Sequence, residues 1–235
     1  MAKYLIIMNK FKIHPFTYIF IFIIIINGEF NKFASIMNII LFHELGHILS
    51  GLFFKWKIDK IIILPFWCLT IFDEKINKPI FEEFIISISG FIFQIIQLFF
   101  IANKKYSIIL LLFNLIPIYP LDGYKILNLF LNKILPFKIS HLISVYISFI
   151  AIFFYNNNLI VILIISLLLF NTIKQLYNHK YIFNKFILER KIYSFNFKKF
   201  KQVKSIKNFK RDYRHLILDN GRYITEKEYL NRWLI

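Results

Sequence analysis

The chain has 235 residues, of which 58% are hydrophobic and only 18% are charged, yet its formal net charge is +17. A soluble globular domain is typically about 45–50% apolar and about 25% charged, and disorder needs the opposite bias, so the composition excludes both classes. The one cysteine, Cys68, excludes an internal disulfide scaffold and a thiol-rich metal site.

Six apolar stretches predict membrane-spanning helices, and therefore an all-α polytopic membrane protein. The first stretch, Phe16–Ile26, is shorter than the ~20 residues of a usual span. No small-residue cleavage site of a signal peptide follows it, so it is predicted to be retained. The other stretches cover residues 33–54, 84–102, 106–121, 139–155 and 159–172.

The segment of residues 61–72, between the second and third stretches, is too short to cross a membrane as a helix and contains Pro65. Its β-branched residues predict a short, membrane-associated strand or a re-entrant hairpin that packs against protein.

The basic residues predict the orientation of these spans. With six spans, 27 of the 30 Lys and Arg residues lie on one side. By the positive-inside rule, both termini of this integral membrane protein are then predicted to be cytoplasmic. The orientation of the spans also accounts for the large positive charge, so the charge does not require binding to nucleic acid.

Residues 1–173 are predicted to form the membrane domain, and residues 174–235 form a small, basic cytoplasmic tail. In the tail, Asp219-Asn220-Gly221 predicts a hairpin, and Thr225 with Glu228 predicts a capping box that opens a last helix. The basic run 198–214 suits a nucleic-acid or partner surface, or attraction to anionic lipid. The second alternative is favoured, so the lipid bilayer is an expected partner and no specific nucleic acid is expected.

The second stretch contains His43, Glu44 and His47 in the HExxH pattern. On a helix, residues i and i+4 share a face, so both imidazoles can bind one Zn²⁺ while the glutamate acts as a general base. Ionisable residues within an apolar span are costly and predict function. The alternative is a set of paired polar groups inside a helical bundle.

A catalytic zinc needs a third protein ligand. Asp122 is an acidic residue directly after the fourth predicted span, where it follows a segment containing Pro117 and Pro120 and precedes Gly123. These residues break a helix, and such a segment can direct Asp122 at a metal. The alternative is that Asp122 is an ordinary residue at the end of a helix, at the cytoplasmic boundary of the membrane. Asn114 is predicted either to bind the substrate backbone or to hold the broken helix.

The HExxH motif, followed by the segment from Asn114 to Gly123, resembles the site-2 protease family of intramembrane zinc metalloproteases. The closest resemblance is to the six-span bacterial branch of stage IV sporulation protein FB, over about residues 10–175. Two departures from the family are Phe91 after Gly90, where Pro is common, and Tyr124, where a second Gly is common. Neither removes a ligand, so both are interpreted as affecting helix packing and the shape of the motif.

The resemblance implies a zinc metalloendopeptidase of the bacterial cell membrane that cleaves membrane-associated protein substrates near the cytoplasmic face. It implies His43, His47 and Asp122 as ligands of one Zn²⁺ per chain, with Glu44 as the catalytic base. A tethered regulatory precursor is the substrate that the sporulation branch suggests. The alternative is a non-catalytic membrane transporter or scaffold that binds a metal, and the sequence fixes no oligomeric state.

Three further histidines, His141, His179 and His215, lack the spacing of metal ligands. We predict that they are surface or interface residues.

Overall fold

The computed structural model describes residues 10–64, 67–73, 75–101, 104–153, 159–193, 195, 197–219 and 221–233. The chain divides into two compact units. The first consists of Met1–Glu74 and Ile85–Asn114, and the second of Lys75–Phe84 and Leu115–Ile235. The division into a membrane domain, residues 1–173, and a cytoplasmic tail, residues 174–235, remains a prediction.

The first unit combines helices with a small sheet. In chain order it contains β1 (Phe11–Ile13), α1 (Pro15–Ile26), α2 (Phe30–Phe53), β2 (Ile58–Ile63), β3 (Cys68–Phe72), most of α3 (Ile80–Gln97) and α4 (Lys104–Leu115).

The sheet of this unit has the order β1-β2-β3. Strands β2 and β3 form an antiparallel pair in which Ile61 faces Thr70, so the predicted hairpin is confirmed, although Pro65 lies outside the described residues. Strand β1 joins β2 in parallel and was not predicted. Its three exposed residues are too few to show the two-residue periodicity of a strand.

Helices α2 and α3 approach closely because small residues lie where they meet. A Cβ added to Gly46 would lie 2.5 Å from the backbone oxygen of Ser89, so only glycine fits there. The hydroxyls of Ser50 and Ser89 are 2.8 Å apart and form a hydrogen bond. Small residues and serine hydroxyls at a contact are typical of helix packing in membranes.

Among the described residues, two helices have the length and apolar character needed to cross a membrane, Phe30–Phe53 and Ile80–Gln97. Three apolar helical stretches are shorter, at Thr17–Ile26, Phe137–Ile152 and Ile164–Tyr177. The fold therefore fits a membrane protein, and the count of six spans remains a prediction.

The second unit contains more helices and a second sheet. Its elements are α5 (Asp122–Ile134), α6 (Phe137–Phe153), α7 (Leu159–Tyr177), α8 (His179–Ile192), β4 (Lys199–Val203), a 3₁₀ turn (Ile206–Asn208), β5 (Tyr213–Asp219), β6 (Arg222–Thr225) and α9 (Glu226–Trp233). One core of the unit is apolar and includes Phe186, Phe209, Ile217 and Leu230, all fully buried.

The fourth predicted span, residues 106–121, is wrong at its end. Helix α4 stops at Leu115, and a new helix begins at Asp122. Pro117 and Pro120 supply no backbone N–H for a continuous helix. The predicted helix break at the prolines is thus confirmed, and the predicted span is wrong only in continuing past Leu115.

The tail folds into a sheet of order β4-β5-β6 with α9 after it, so the all-α class predicted for the chain is incomplete. Asp219 pairs with Arg222 across the predicted two-residue turn, of which Asn220 lies outside the described residues. The capping box is also confirmed: Glu228 accepts a hydrogen bond from the backbone N–H of Thr225 at 3.2 Å. Strand β4 was missed because its alternating lysines were interpreted as a charged surface.

Polar groups are buried beside this sheet. The Arg190 guanidinium, with 2% of its side chain exposed, forms an ion pair with Glu226 at 3.0 Å and donates to the carbonyl of Lys210. His215 donates from Nδ1 to Glu226, and its Nε2 accepts the backbone N–H of Lys210 at 3.0 Å. The neutral imidazole thus satisfies both ring nitrogens, and protonation would remove its acceptor.

We expect the tail to lose stability as the pH falls below about 6.5. Burial is the main reason that the pKa of His215 lies below its ordinary value of 6.5, so folding favours the neutral ring. Burial would raise the pKa of Glu226, but the hydrogen bond from His215 and the charge of Arg190 hold it below 4.5. Both shifts give stability that is present at higher pH and is lost as the pH falls.

Hydrogen exchange of the β5 amides in the full chain, converted to a free energy of opening at each pH, measures this loss. In H215Q we expect the change just below pH 6.5 to disappear, while H14Q, at an exposed position, keeps it. A β5 opening free energy that stays constant from pH 7 to pH 4 would contradict the prediction.

Candidate metal centre

Helix α2 brings two histidines together inside the first unit. His43 and His47 are each 4% exposed, and their Nε2 atoms are 3.1 Å apart. The spacing i, i+4 places them on one helical face, as the sequence predicts. The two Nε2 atoms are therefore directed at one point.

The other ring nitrogen of each histidine fixes its tautomer. His43 Nδ1 lies 2.9 Å from Gln94 Oε1, and His47 Nδ1 lies 2.6 Å from the carbonyl oxygen of Ile86. Both partners are acceptors, so both Nδ1 atoms carry the proton. The lone pairs of the two Nε2 atoms then point to the same place, which is the arrangement of metal-binding imidazoles.

Gln94 holds this arrangement from α3. It is fully buried, and its Nε2 donates to the carbonyl oxygen of Ser107 at 2.9 Å. This bond fixes the amide so that Oε1 faces His43. Sequence reasoning missed Gln94 because a lone glutamine in an apolar run gives no signal of its own.

We expect the substitution Gln94→Leu to weaken zinc binding by about 10–100-fold, the range for losing a partner of a metal-binding histidine. The leucine removes the acceptor that sets the His43 tautomer. Zinc affinity measured by competition with a chelator of known affinity tests this expectation.

Gln97→Leu is the matched control, because Gln97 is also buried in α3 but hydrogen-bonds the backbone of Asn38. Its zinc affinity should stay within about twofold of wild type. Equal losses in the two variants would show that Gln94 contributes to the packing of α3 and does not set the tautomer of His43.

The carboxylate of Glu44 is also held in place. It is 5% exposed, and its Oε1 accepts the backbone N–H of Thr70 in β3 at 2.5 Å. The strand therefore orients the acid of the HExxH motif, although 26 residues separate the two in sequence. Nothing in the sequence pattern pointed to Thr70.

Gly90 leaves space for a ligand between the histidines. A Cβ at this position would lie 2.4 Å from His47 Nε2 and 2.6 Å from His43 Nε2. No side chain fits there, and a metal bound by imidazole nitrogen lies about 2.0–2.1 Å from each atom. The sequence interpretation assigned the Gly90-Phe91 departure to helix packing; the geometry places Gly90 against both histidines.

The second predicted motif, apart from Asn114, lies in the second unit. Asp122 is the first residue of α5 and is 7% exposed, and its Oδ1 accepts a hydrogen bond from Lys125 at 2.8 Å. A carboxylate in the first turn is favoured by the helix dipole. A Cβ on Gly123 would lie 2.2 Å from the carbonyl oxygen of Leu115, so this turn requires glycine.

The remaining residues of that motif are half-buried. Asn114 lies near the end of α4, and Pro117 and Pro120 lie in the segment before α5. The carbonyl oxygen of Pro117 accepts the hydroxyl of Ser148 from α6 at 2.9 Å, which anchors the segment.

Of the residues that the structure describes, His43 and His47 in the first unit and Asp122 in the second each carry a side-chain atom suited to bind a metal ion. All three are buried. Two neutral imidazoles and a carboxylate are a donor set that zinc accepts. The chemistry of these three side chains therefore fits zinc.

Three further histidines are predicted to be surface or interface residues, and the surface alternative is wrong, because all three are buried. His141 and His179 are 2% and 8% exposed, and their Nδ1 atoms are 3.0 Å apart. His215 is 1% exposed and belongs to the Arg190 network. His141 contacts His179 and Gln175 from other helices, and His215 stacks on Phe209. No local sequence pattern shows these contacts.

No protein-family model matches the chain. Stage IV sporulation protein FB of Bacillus subtilis is 34% identical over 161 residues, which are 62% of this chain and 56% of that protein. Zinc metalloprotease MJ0392 of Methanocaldococcus jannaschii is 31% identical over 121 residues, 43% of this chain and 36% of its relative.

A solved structure, the site-2 protease from Methanocaldococcus jannaschii, superposes with a TM-score of 0.52 at 25% identity, over 70% of this chain and 89% of that one. The chain is similar to site-2 proteases in fold and to zinc metalloproteases in sequence. It spans about half or less of the length of the two curated relatives. The resemblance that the two motifs predicted is thus confirmed for the family.

Proposed function

We propose that the chain is an intramembrane zinc metalloendopeptidase. The observation that carries the proposal is the pair of buried histidines whose Nδ1 atoms are both engaged by acceptors and whose Nε2 atoms converge to 3.1 Å. A buried glutamate in the same helical turn supplies the acid–base group that hydrolysis requires.

In this proposal His43, His47 and Asp122 hold one Zn²⁺ per chain. The ion supplies Lewis acidity, which polarises a peptide carbonyl and makes water more acidic. Glu44 takes a proton from the attacking water at its carboxylate and later gives it to the leaving amine. The Thr70 N–H keeps the carboxylate oriented for both transfers.

The proposed substrate is a membrane-associated protein, cleaved near the cytoplasmic face of a bacterial cell membrane. A tethered regulatory precursor is the proposed substrate class, as the resemblance to the sporulation branch implies. A helical substrate has to unwind locally, because the site needs an exposed peptide backbone. Asn114 is proposed to bind that backbone or to hold the segment before Asp122, and both termini are proposed to be cytoplasmic.

The test uses the full chain purified in detergent. We expect about one zinc per chain by mass spectrometry of the metal, and loss of it in His43→Ala and His47→Ala but not in His14→Ala. Reconstituted with tethered single-span peptides, the protein should cleave, stop when a zinc chelator is added, and recover with zinc. Stoichiometric zinc without cleavage would favour the alternative, a non-catalytic transporter or scaffold.

A further inference from the structure

A cavity of about 520 Å³ lies in the second unit, beside the β4-β5-β6 sheet of the tail. Its volume falls within the range of about 300–1,000 Å³ that small-molecule sites occupy. Part of its lining is apolar and includes Ile134, Pro136, Val203 and Leu218. The metal centre contributes no residue to it.

The rest of the lining is polar and positively charged. It contains Lys201, Lys204 and Lys210, together with Asn208, and no acidic residue is among the described residues that line it. Lys204 is exposed, and the other two lysines are half-buried. Lys210 Nζ donates to the carbonyl oxygen of Ile134, which also lines the cavity. Burial, and next the charge of Lys201, lower the pKa of Lys210.

Like charges gathered in one cavity repel each other, and an anion with several oxygens relieves the repulsion. A phosphate group presents such oxygens, and lysine binds it as a point charge. We propose that this cavity binds a phosphate ester, with the lysines around the phosphate and the apolar lining around the carbon part of the molecule.

Two sources can supply this chemistry, an anionic phospholipid headgroup and a free phosphate ester. The position of the cavity favours the lipid. Pro136 lines it, and the apolar helix α6 begins at the next residue, Phe137. The backbone N–H of Phe137 donates to the carbonyl of Phe209 at 2.9 Å, which ties the start of this helix to the segment that carries the lysines.

The full-length protein in a neutral detergent tests the proposal by calorimetric titration. The probes are short-chain phosphatidylglycerol, short-chain phosphatidylcholine, sn-glycerol 3-phosphate and inorganic phosphate. We expect saturable binding of phosphatidylglycerol that weakens at least about tenfold in K201Q/K204Q/K210Q, since lysines near a lipid phosphate attract its negative charge. Equally tight binding of glycerol phosphate would assign the cavity to a free phosphate ester.

The matched control, K198Q/K199Q/K207Q, removes the same charge from exposed lysines of the same segment that do not line the cavity. It should bind within about twofold of wild type. The exposed single variant K204Q keeps the test valid if the triple variant fails to fold, and it should bind several-fold more weakly. An equal loss in the control variant, unchanged binding by K204Q, or no binding by the wild type would overturn the proposal.

Discussion

Replacement of Glu44 by Gln should abolish proteolysis and leave zinc in place. General acid–base catalysis contributes typically about 10²–10⁴-fold to a rate, so we expect cleavage of a tethered peptide to fall by that factor. The amide has nearly the volume of the carboxylate, and its oxygen can still accept the Thr70 N–H. The side chain can no longer take a proton from water, so the chemical step is lost and the fold is kept.

Zinc content and thermal stability measured on the same E44Q sample separate the two effects. His43 and His47 keep their acceptors Gln94 Oε1 and the Ile86 carbonyl, so zinc should stay at the wild-type level. The control is Glu29→Gln, which removes an exposed glutamate whose partner is Lys32, outside the metal centre. Cleavage by E44Q at the wild-type rate would exclude Glu44 as the base.

The sequence predicts the parts of this centre that depend on residues close together in the chain. The HExxH pattern depends only on helical spacing, so it identifies two neighbouring imidazoles and the glutamate between them. Pro117, Pro120 and Gly123 mark a helix break, because proline lacks the N–H that a helix needs. The hairpin turn and the capping box in the tail are equally local, and both are confirmed.

Groups that support the centre from other elements were not predicted. Gln94 and Thr70 act through contacts with α2 that form only when α3 and β3 pack against it. Neither residue has a fixed spacing to the HExxH motif, so its position in the sequence carries no signal. Strand β4 was missed for a related reason, since alternating lysines describe a charged surface and an edge strand equally well.

Replacement of Gly90 by Ala should weaken zinc binding at least about 100-fold, the upper end of the effect of changing a ligand's partner. The added methyl would lie 2.4 Å from His47 Nε2 and 2.6 Å from His43 Nε2, far inside van der Waals contact. Neither ring can move away without breaking the hydrogen bond at its Nδ1. The methyl therefore competes with the ion for the same space.

The helix itself should tolerate this change, because alanine is favoured over glycine within a helix by about 1 kcal/mol. Gly90→Ala should thus fold and lack both zinc and proteolysis, which direct metal analysis and the peptide assay measure. Gly28→Ala is the control: its φ of +68° costs about 1–2 kcal/mol for a residue with a Cβ. The space around Gly28 is open, so zinc should remain. Zinc affinity that is unchanged in Gly90→Ala would show that the ion does not bind between the two Nε2 atoms.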